Sequence, residues 1–477
     1  MRVSQVTFSA GETTPELHAR SDMTFSDRGL SYALNGIILK TGGFAKRWGL
    51  RYIADCADHA RASRLIPYDF GIEQTYILEL AHEAIRFVTM GGQLVDGGSP
   101  VEVASPYQES ERFDIGYAST RDVTKLVHLN HAPRDLNRLG ATNWSLTLSS
   151  FSVSQTAPGT LTLSTTTDAD SDSVALPATY VVTAVNDESG EESLASAEAT
   201  QAGSGTTDAV LVEWDHVAGA NFYNVYKESS GVFGYVGRAS GESGTVSFVD
   251  NGFDPDETQT PPTTRNPFDS ASNYPEAVTF HQQRIVYGST LNDPTLIETS
   301  RTALFSNFTR SEPSQATDAI SVSVLGRRVQ RVRHMISLRD LLILTTNGQW
   351  ALRGTDGNVL TPSQTEIESQ SERGTSAVVP IISGQAAIYV MRDGRTVRDI
   401  GYAFSDDAYI GKDLTAASEH LLDGRTIVDM AYQETRDQVV WFVLSDGTGL
   451  CLTYFPEHEV IAWTRLETNG QLESVAA

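Results

Sequence analysis

Few residues in this chain have types and spacings suited to chemistry. His128 and His131 flank Leu129-Asn130, and imidazoles three apart can share a metal ion. On a strand they would point to opposite faces with no third ligand nearby in sequence, so the expectation is a structural pair and no metal site. Asp168-x-Asp170-x-Asp172 copies the first positions of a calcium loop, but Ser173 stands where Gly is needed and Thr179 where the acidic twelfth ligand belongs. We read it as a solvated acidic turn, and Asp250, Asp254 and Asp256 as linker charge. His82-Glu83 lacks a second His at zincin spacing, Gly411-Lys412 lacks the rest of a phosphate loop, and Gly-x-Ser-x-Gly does not occur. Thr346-Asn347-Gly348-Gln349-Trp350 is a single fragment of a sialidase-type turn, without the arginine cluster and carboxylate pair of a glycosidase. The expectation is a non-enzyme, with no catalytic residue and no cofactor.

The densest basic segment is Arg327-Arg328-Val329-Gln330-Arg331-Val332-Arg333-His334. Arg331 and Arg333 flank Val332 as on a strand whose polar face pairs with an acidic neighbour or another subunit. In a DNA conduit Arg327, Arg328, Arg331 and Arg333 would touch backbone phosphate instead.

The elements that must position these residues read as strands. Thr75–Leu80, Leu341–Leu344, Ala387–Val390 and Val439–Leu444 are short β-branched and aromatic runs. Asn347-Gly348, Asp393-Gly394 and Asp446-Gly447 follow such runs, and Asp423-Gly424 precedes the last; these dipeptides favour positive φ and mark tight hairpins. A turn, inner strand, hairpin, second strand unit recurs near 63–95, 119–151, 277–300, 338–354, 383–404 and 432–466, a spacing of about 45 to 60 residues that suits the blades of a β-propeller. The fold class expected is all-β.

Residues 152–265 break this repeat and hold 17 acidic against three basic residues, so they carry −14 of the formal charge of −25. Ala178–Val185 alternates cleanly, and Glu213-Trp214 is followed by Tyr223-Asn224-Val225-Tyr226. This resembles fibronectin type III and related immunoglobulin-like sandwiches, in which a Trp on one strand packs beneath a Tyr-x-Val-Tyr strand. The expected organisation is an arm over 1–60, the first blades over 61–151, an inserted sandwich over 152–265, and the remaining blades over 266–477. Asp27 to Leu39 could hold a short helix within the arm. Gln471–Ala477 reads as a strand beginning without a partner, as if a further blade or tail followed.

The chain has 477 residues, 35 Lys plus Arg against 60 Asp plus Glu, and a pI near 4.7, which speaks against a general nucleic-acid binder. Cys56 and Cys451 are too few for a disulfide framework, and their small or apolar neighbours suit buried thiols. Met1–Val6 contains no signal-length apolar run, and the longest apolar stretch, Val378–Val390, is interrupted by Ser383-Gly384-Gln385; neither membrane insertion nor a secretion signal is expected.

The opening residues carry a resemblance. Phe8-Ser9-Ala10-Gly11-Glu12-Thr13-Thr14-Pro15-Glu16-Leu17-His18-Ala19-Arg20-Ser21-Asp22, then Asn35-Gly36-Ile37-Ile38, Gly42-Gly43 and Arg47-Trp48-Gly49-Leu50-Arg51-Tyr52-Ile53, resemble the start of the tail nozzle proteins of short-tailed bacteriophages. Those begin with a Phe-x-x-Gly-Glu-x-x-Pro-x-Leu-x-x-Arg-x-Asp arm, a central Asn, a Gly-Gly turn and an Arg-x-Gly-x-Arg-Phe-Ile-like strand. Thr13-Thr14, Trp48 and Leu50 depart from the family's more usual Leu-Ser, Pro and Thr.

The resemblance implies a propeller platform with an inserted immunoglobulin-like module. It further implies a homo-hexameric ring below the portal and its adaptor, a channel for double-stranded DNA, and surfaces for tail fibres or spikes. Phe8, Gly11, Glu12, Pro15, Leu17, Arg20, Asp22, Asn35, Arg47 and Arg51 would then form the interface to the adaptor or neighbouring subunit. Such a protein would assemble in the bacterial cytoplasm and reside in the virion tail. The alternative is a propeller-based carbohydrate-binding or glycan-cleaving adhesin.

Overall fold

The computed structural model describes residues 7–18, 27–71, 74–167 and 172–477. Among these residues the chain is all-β, with five short 3₁₀ turns and no α-helix. Six four-stranded antiparallel meanders follow one another: blade 1 (64–104), blade 2 (116–148), blade 3 (277–323), blade 4 (332–371), blade 5 (381–410) and blade 6 (427–466). Each of the six sequence repeats falls in a different blade. Blade order in the chain is blade order in space, because a separate apolar core fills each successive gap.

Ile66, Leu78 and Phe87 of blade 1 meet Leu126, Leu136 and Trp144 of blade 2. Val127 meets Val278 and Ile285 between blades 2 and 3, and Val286 and Ile297 meet Val332 and Ile343 between blades 3 and 4. Leu342 and Leu344 pack on Ala387 and Tyr389, and Ile388 and Val390 on Ile427 and Phe442. Central strands buried on both faces explain the unbroken apolar runs: Leu341–Thr345 is buried at every position. Each large side chain so buried contributes roughly 1.5–3 kcal/mol. This architecture is a β-propeller.

The seam where blade 6 meets blade 1 is built differently. Gln471–Ala477, expected as an unpartnered strand, has no regular structure and runs along this seam. Leu65 N–H donates to Ser474 Oγ (3.0 Å), and Ser474 Oγ and the Val475 N–H both donate to Asp429 Oδ2, at 2.5 and 3.0 Å. A polar latch replaces a packed core at this gap.

Between blades 2 and 3 the chain makes two further sheets, one of Thr162–Thr166, Ala209–Asp215 and Thr245–Asp250, the other of Ala199–Thr207, Val174–Asn186, Ala220–Ser229 and Val232–Ser240. They share a core around Trp214, Tyr180, Val182, Val212, Tyr223 and Val225. Asp250 is fully buried, accepting from Tyr180 Oη (2.6 Å) and pairing with Lys227 (3.0 Å), so its reading as linker charge was incorrect. The sandwich is anchored where the chain enters and leaves it: Phe151 and Phe268 lie edge-on to one another at 5.1 Å, and Phe151 lies edge-on to Tyr287 and Phe308 of blade 3 at 5.8 and 5.6 Å. Glu191, also buried, accepts from Asn307 Nδ2 at 2.6 Å.

Other sequence expectations change. Asp27 to Leu39 holds strands Gly29–Leu30 and Gly36–Ile38 rather than a helix, because these segments find partners in Gly11–Glu12 and Phe44–Lys46. Cys451 is buried but Cys56 is exposed, since residues 47–63 lie outside any strand. Gly394 and Gly447 take positive φ of 72° and 78°, whereas Gly348 does not. Asp168 and Asp170 lie outside the described residues.

Candidate assembly site

The arm is first a part of the fold. Gly11–Glu12 adds in parallel to the outer strand of blade 6, Val460–Leu466, with Gly11 opposite Trp463. Gly11 has φ of 63°, and a Cβ there would lie 2.6 Å from the Trp463 carbonyl oxygen, so glycine is required for the approach. Glu12 is 1% exposed. Its Oε1 accepts from Arg465 Nε and Nη2 (2.8 and 2.7 Å) and from His420 Nε2 (3.0 Å), and its Oε2 from the Ala33 N–H (2.8 Å). Burial pushes this carboxyl up, but Arg465, the Ala33 N–H and His420 outweigh it and hold it below its ordinary 4.5.

Phe8 packs on Ile38, Val460 and Ala462. Asn35 Oδ1 accepts from Arg47 Nε (2.8 Å) and the Glu467 N–H (3.1 Å). Gly11, Glu12 and Asn35, expected at an interface between subunits, therefore make contacts within their own chain. Pro15 and Leu17 form a 3₁₀ turn with Pro15 exposed; Arg20 and Asp22 lie outside the described residues.

Beyond Arg47 the arm turns outward. Trp48, Leu50, Tyr52 and Ile53 are 42%, 73%, 73% and 40% exposed. Arg51 among them is also exposed. Beside this strip the blade 6 to blade 1 seam opens as a groove of about 460 Å³, lined by Trp48, Leu50, Leu65, Trp441, Leu472 and Val475 among others. A run of large apolar side chains next to an apolar groove is a surface built to be covered. The sequence carried the resemblance here but gave no sign that these positions were solvent-facing.

The ends of the blades nearest the start of each inner strand form one face of the propeller. Glu276, just before the inner strand of blade 3, takes Arg333 Nη1 at 2.7 Å and also pairs with Arg331. Arg331 and Arg333 are thus spent on an acidic neighbour in the preceding blade. Arg327 and Arg328, in the loop ahead of them, are exposed together with Leu325 and Val329, at 82% and 93%. Below lies an axial cavity of about 90 Å³ bordered by Tyr117, Glu276, Arg333 and His334. Burial pushes His334 down to about 3 against the pull of the Ser376 carbonyl, which accepts from its Nε2 at 3.1 Å, and Arg333 and Arg64 lower it further.

The histidine pair departs from its reading. His128 and His131 end and begin adjacent strands of blade 2 and face one another across the hairpin, with ring centroids 5.2 Å apart. Alternation along a single strand does not govern residues on two strands. A third group, Glu111, arrives from the turn Glu109–Glu111, its Oε2 2.9 Å from His131 Nε2. Nothing in the spacing between 111 and 128 announces this meeting.

No family model matches the chain, and no curated protein does. Solved structures similar to it include the computationally designed Ika8 protein (10% identity, TM-score 0.35, covering 88% of this chain and 91% of that one). Others are the RRP9 WD40 repeats (7%, 0.37, 88% and 85%) and the Myceliophteria thermophila Cps50 (Swd1) β-propeller domain (6%, 0.34, 80% and 93%). At these scores the similarity carries no weight for function, and the blade assignment rests on sheet order and the cores between blades.

Proposed function

We propose that this chain is a structural virion protein, the nozzle subunit of a short phage tail. Six copies would form a ring below the portal adaptor, conduct double-stranded DNA along the ring axis, and offer their flanks to fibres or spikes. The observation that carries the reading is the exposed strip Trp48, Leu50, Tyr52 and Ile53 beside the open seam. It belongs to the arm that bears the resemblance, and it gives the molecule an apolar edge suited to a neighbouring copy or the adaptor.

The resembling residues also have fold-level roles that other residue types would not fill: Gly11 for its backbone approach, Glu12 for its buried pairing. In the same reading the insert is a fibronectin type III or immunoglobulin-like module. Supporting this, Tyr223 Oη accepts from the Val217 N–H at 2.8 Å, six residues upstream, as in a tyrosine corner, and Trp214 lies edge-on to the Tyr223 ring at 5.4 Å. A net charge of −25 suits a wall past which phosphate must slide without sticking. Arg327 and Arg328 would meet a neighbouring subunit or passing DNA.

Electron cryomicroscopy of intact particles, reconstructed without imposed symmetry, tests the proposal. A six-membered ring of this chain against a twelve-membered connector, with density along the axis, is the expected result. Particles whose tails lack the chain would overturn it, and glycan or receptor binding by the isolated protein would favour the adhesin alternative.

A further inference from the structure

The tip of the blade 2 hairpin carries a cluster that the assembly reading does not use. Glu111, His128 and His131 each offer one ligand atom, and these three atoms lie within 4.8 Å of one another. We propose that they form a site for a borderline divalent transition cation of the zinc class, with a fourth position open to solvent.

The donor set selects the ion. Two imidazoles and one carboxylate suit zinc and its neighbours, whereas calcium and magnesium prefer shells of oxygen. Three protein ligands with an open position are the arrangement of zinc sites that keep a water. Metal–ligand bonds near 2.0–2.2 Å place ligand atoms about 3.3 Å apart in a tetrahedron. The Glu111–His131 contact at 2.9 Å therefore has to part by a few tenths of an ångström while His128 draws in, a small movement for groups on a hairpin tip and a short turn.

The surroundings hold the ligands in place. The Tyr107 ring stands edge-on to both imidazoles, with centroids at 6.4 and 5.3 Å. The Gln108 N–H donates to Glu111 Oε2 at 3.0 Å, and Asn130 Nδ2 to Oε1 at 3.5 Å, contacts that orient the carboxylate. His128 is 4% exposed and closes the inner side, while the His131 and Glu111 side chains, 23% and 18% exposed, leave a path from solvent. Arg331, the nearby cation, is engaged by Glu276.

Loading has a proton consequence. His128 Nδ1 now accepts from the Asn130 N–H at 3.2 Å. If Nε2 binds the ion, the ring proton moves to Nδ1; if Nδ1 binds it, its lone pair is taken. Either way the Asn130 amide loses its acceptor.

The test uses full-length untagged protein stripped with EDTA. Calorimetric titration with zinc chloride is expected to show one ion bound per chain, and cobalt(II) in its place to give the intense visible bands of a four- or five-coordinate site. His131→Gln and Glu111→Gln should each weaken zinc binding about tenfold or more. His59→Gln, on the arm, should leave it unchanged, and the Asn130 amide should exchange faster with zinc bound. Absent saturable one-to-one uptake, cobalt with only weak octahedral bands, or unchanged affinity in both folded variants would overturn the site. The cobalt spectrum of the unaltered chain decides the matter even if a variant fails to fold.

Discussion

Glu12 and Arg465 lie 453 residues apart in sequence, yet both Nε and Nη2 of the arginine donate to a single carboxylate oxygen, Oε1 of Glu12. Through this contact the beginning of the described chain is bound to the outermost strand of its last blade. The carboxylate is buried and the guanidinium partly exposed, so the contact is shielded from water on the side that matters.

Removing that carboxylate should release the arm. Glu12→Ala leaves Arg465 and His420 facing a void and is expected to cost about 3 kcal/mol. Limited proteolysis should then cut ahead of residue 47 while the blades stay intact. Acid should act in the same direction. Because the folded carboxyl lies below its ordinary 4.5, its contribution is complete above that pH and is lost as pH falls through the lower folded value. A Glu12→Ala arm as protease-resistant as the original would refute this role.

The exposed strip should matter to assembly and not to folding. Leu50→Ser combined with Tyr52→Ser removes side chains that are each 73% exposed, so thermal stability should shift by no more than about 0.5 kcal/mol. Ring formation, followed by analytical ultracentrifugation or by incorporation into particles, should be lost. Normal rings from the double variant would remove the main support for the docking surface.

His334 should make the propeller sensitive to mild acid. Its folded value near 3 lies below the ordinary 6.5, so the unfolded chain takes up a proton first. Stability is full above 6.5 and falls as pH drops toward 3. His334→Gln keeps a donor for the Ser376 carbonyl but cannot titrate. The difference between the two denaturation curves should shrink steadily across this window, and a constant difference would show that His334 is not the titrating group.

The insert should loosen when its polar tether is cut. Asn307→Ala removes one donor from the buried Glu191 carboxylate, which keeps those of Ser154, and should cost about 1.5 kcal/mol. Small-angle scattering should report a wider spread of sandwich positions, with the Phe151–Phe268 contact still joining the two parts. An unchanged scattering profile would mean that the aromatic junction alone sets the orientation.

The blades were legible because each needs several apolar strands closed by Gly-containing turns, a local pattern that repeats. Leu341–Thr345 and Val439–Leu444 are strands because no other element buries such runs on both sides in so few residues. The site was legible only where it was local. Arg331 and Arg333 announced an acidic partner, but not that it would be Glu276 of the preceding blade. Asp250 looked like solvated linker charge because its partners, Tyr180 and Lys227, come from strands far away in sequence. The opposite-face placement of His128 and His131 failed for a related reason, since a rule for one strand was applied across a turn.

The parallel pairing of Gly11 with Trp463 has a consequence in time. A ribosome adding roughly 5–20 residues per second makes Arg465 on the order of tens of seconds after Glu12. Until then the arm can pair only within itself, Gly11–Glu12 with Gly29–Leu30, and has neither the blade 6 strand nor Arg465 to dock on, while five blades are completed ahead of the sixth. A segment made well before blade 6 is thus among the last to settle. During that interval its apolar side chains are open to chaperones and to other nascent chains, which makes the cell's folding machinery a factor in how much usable protein it yields.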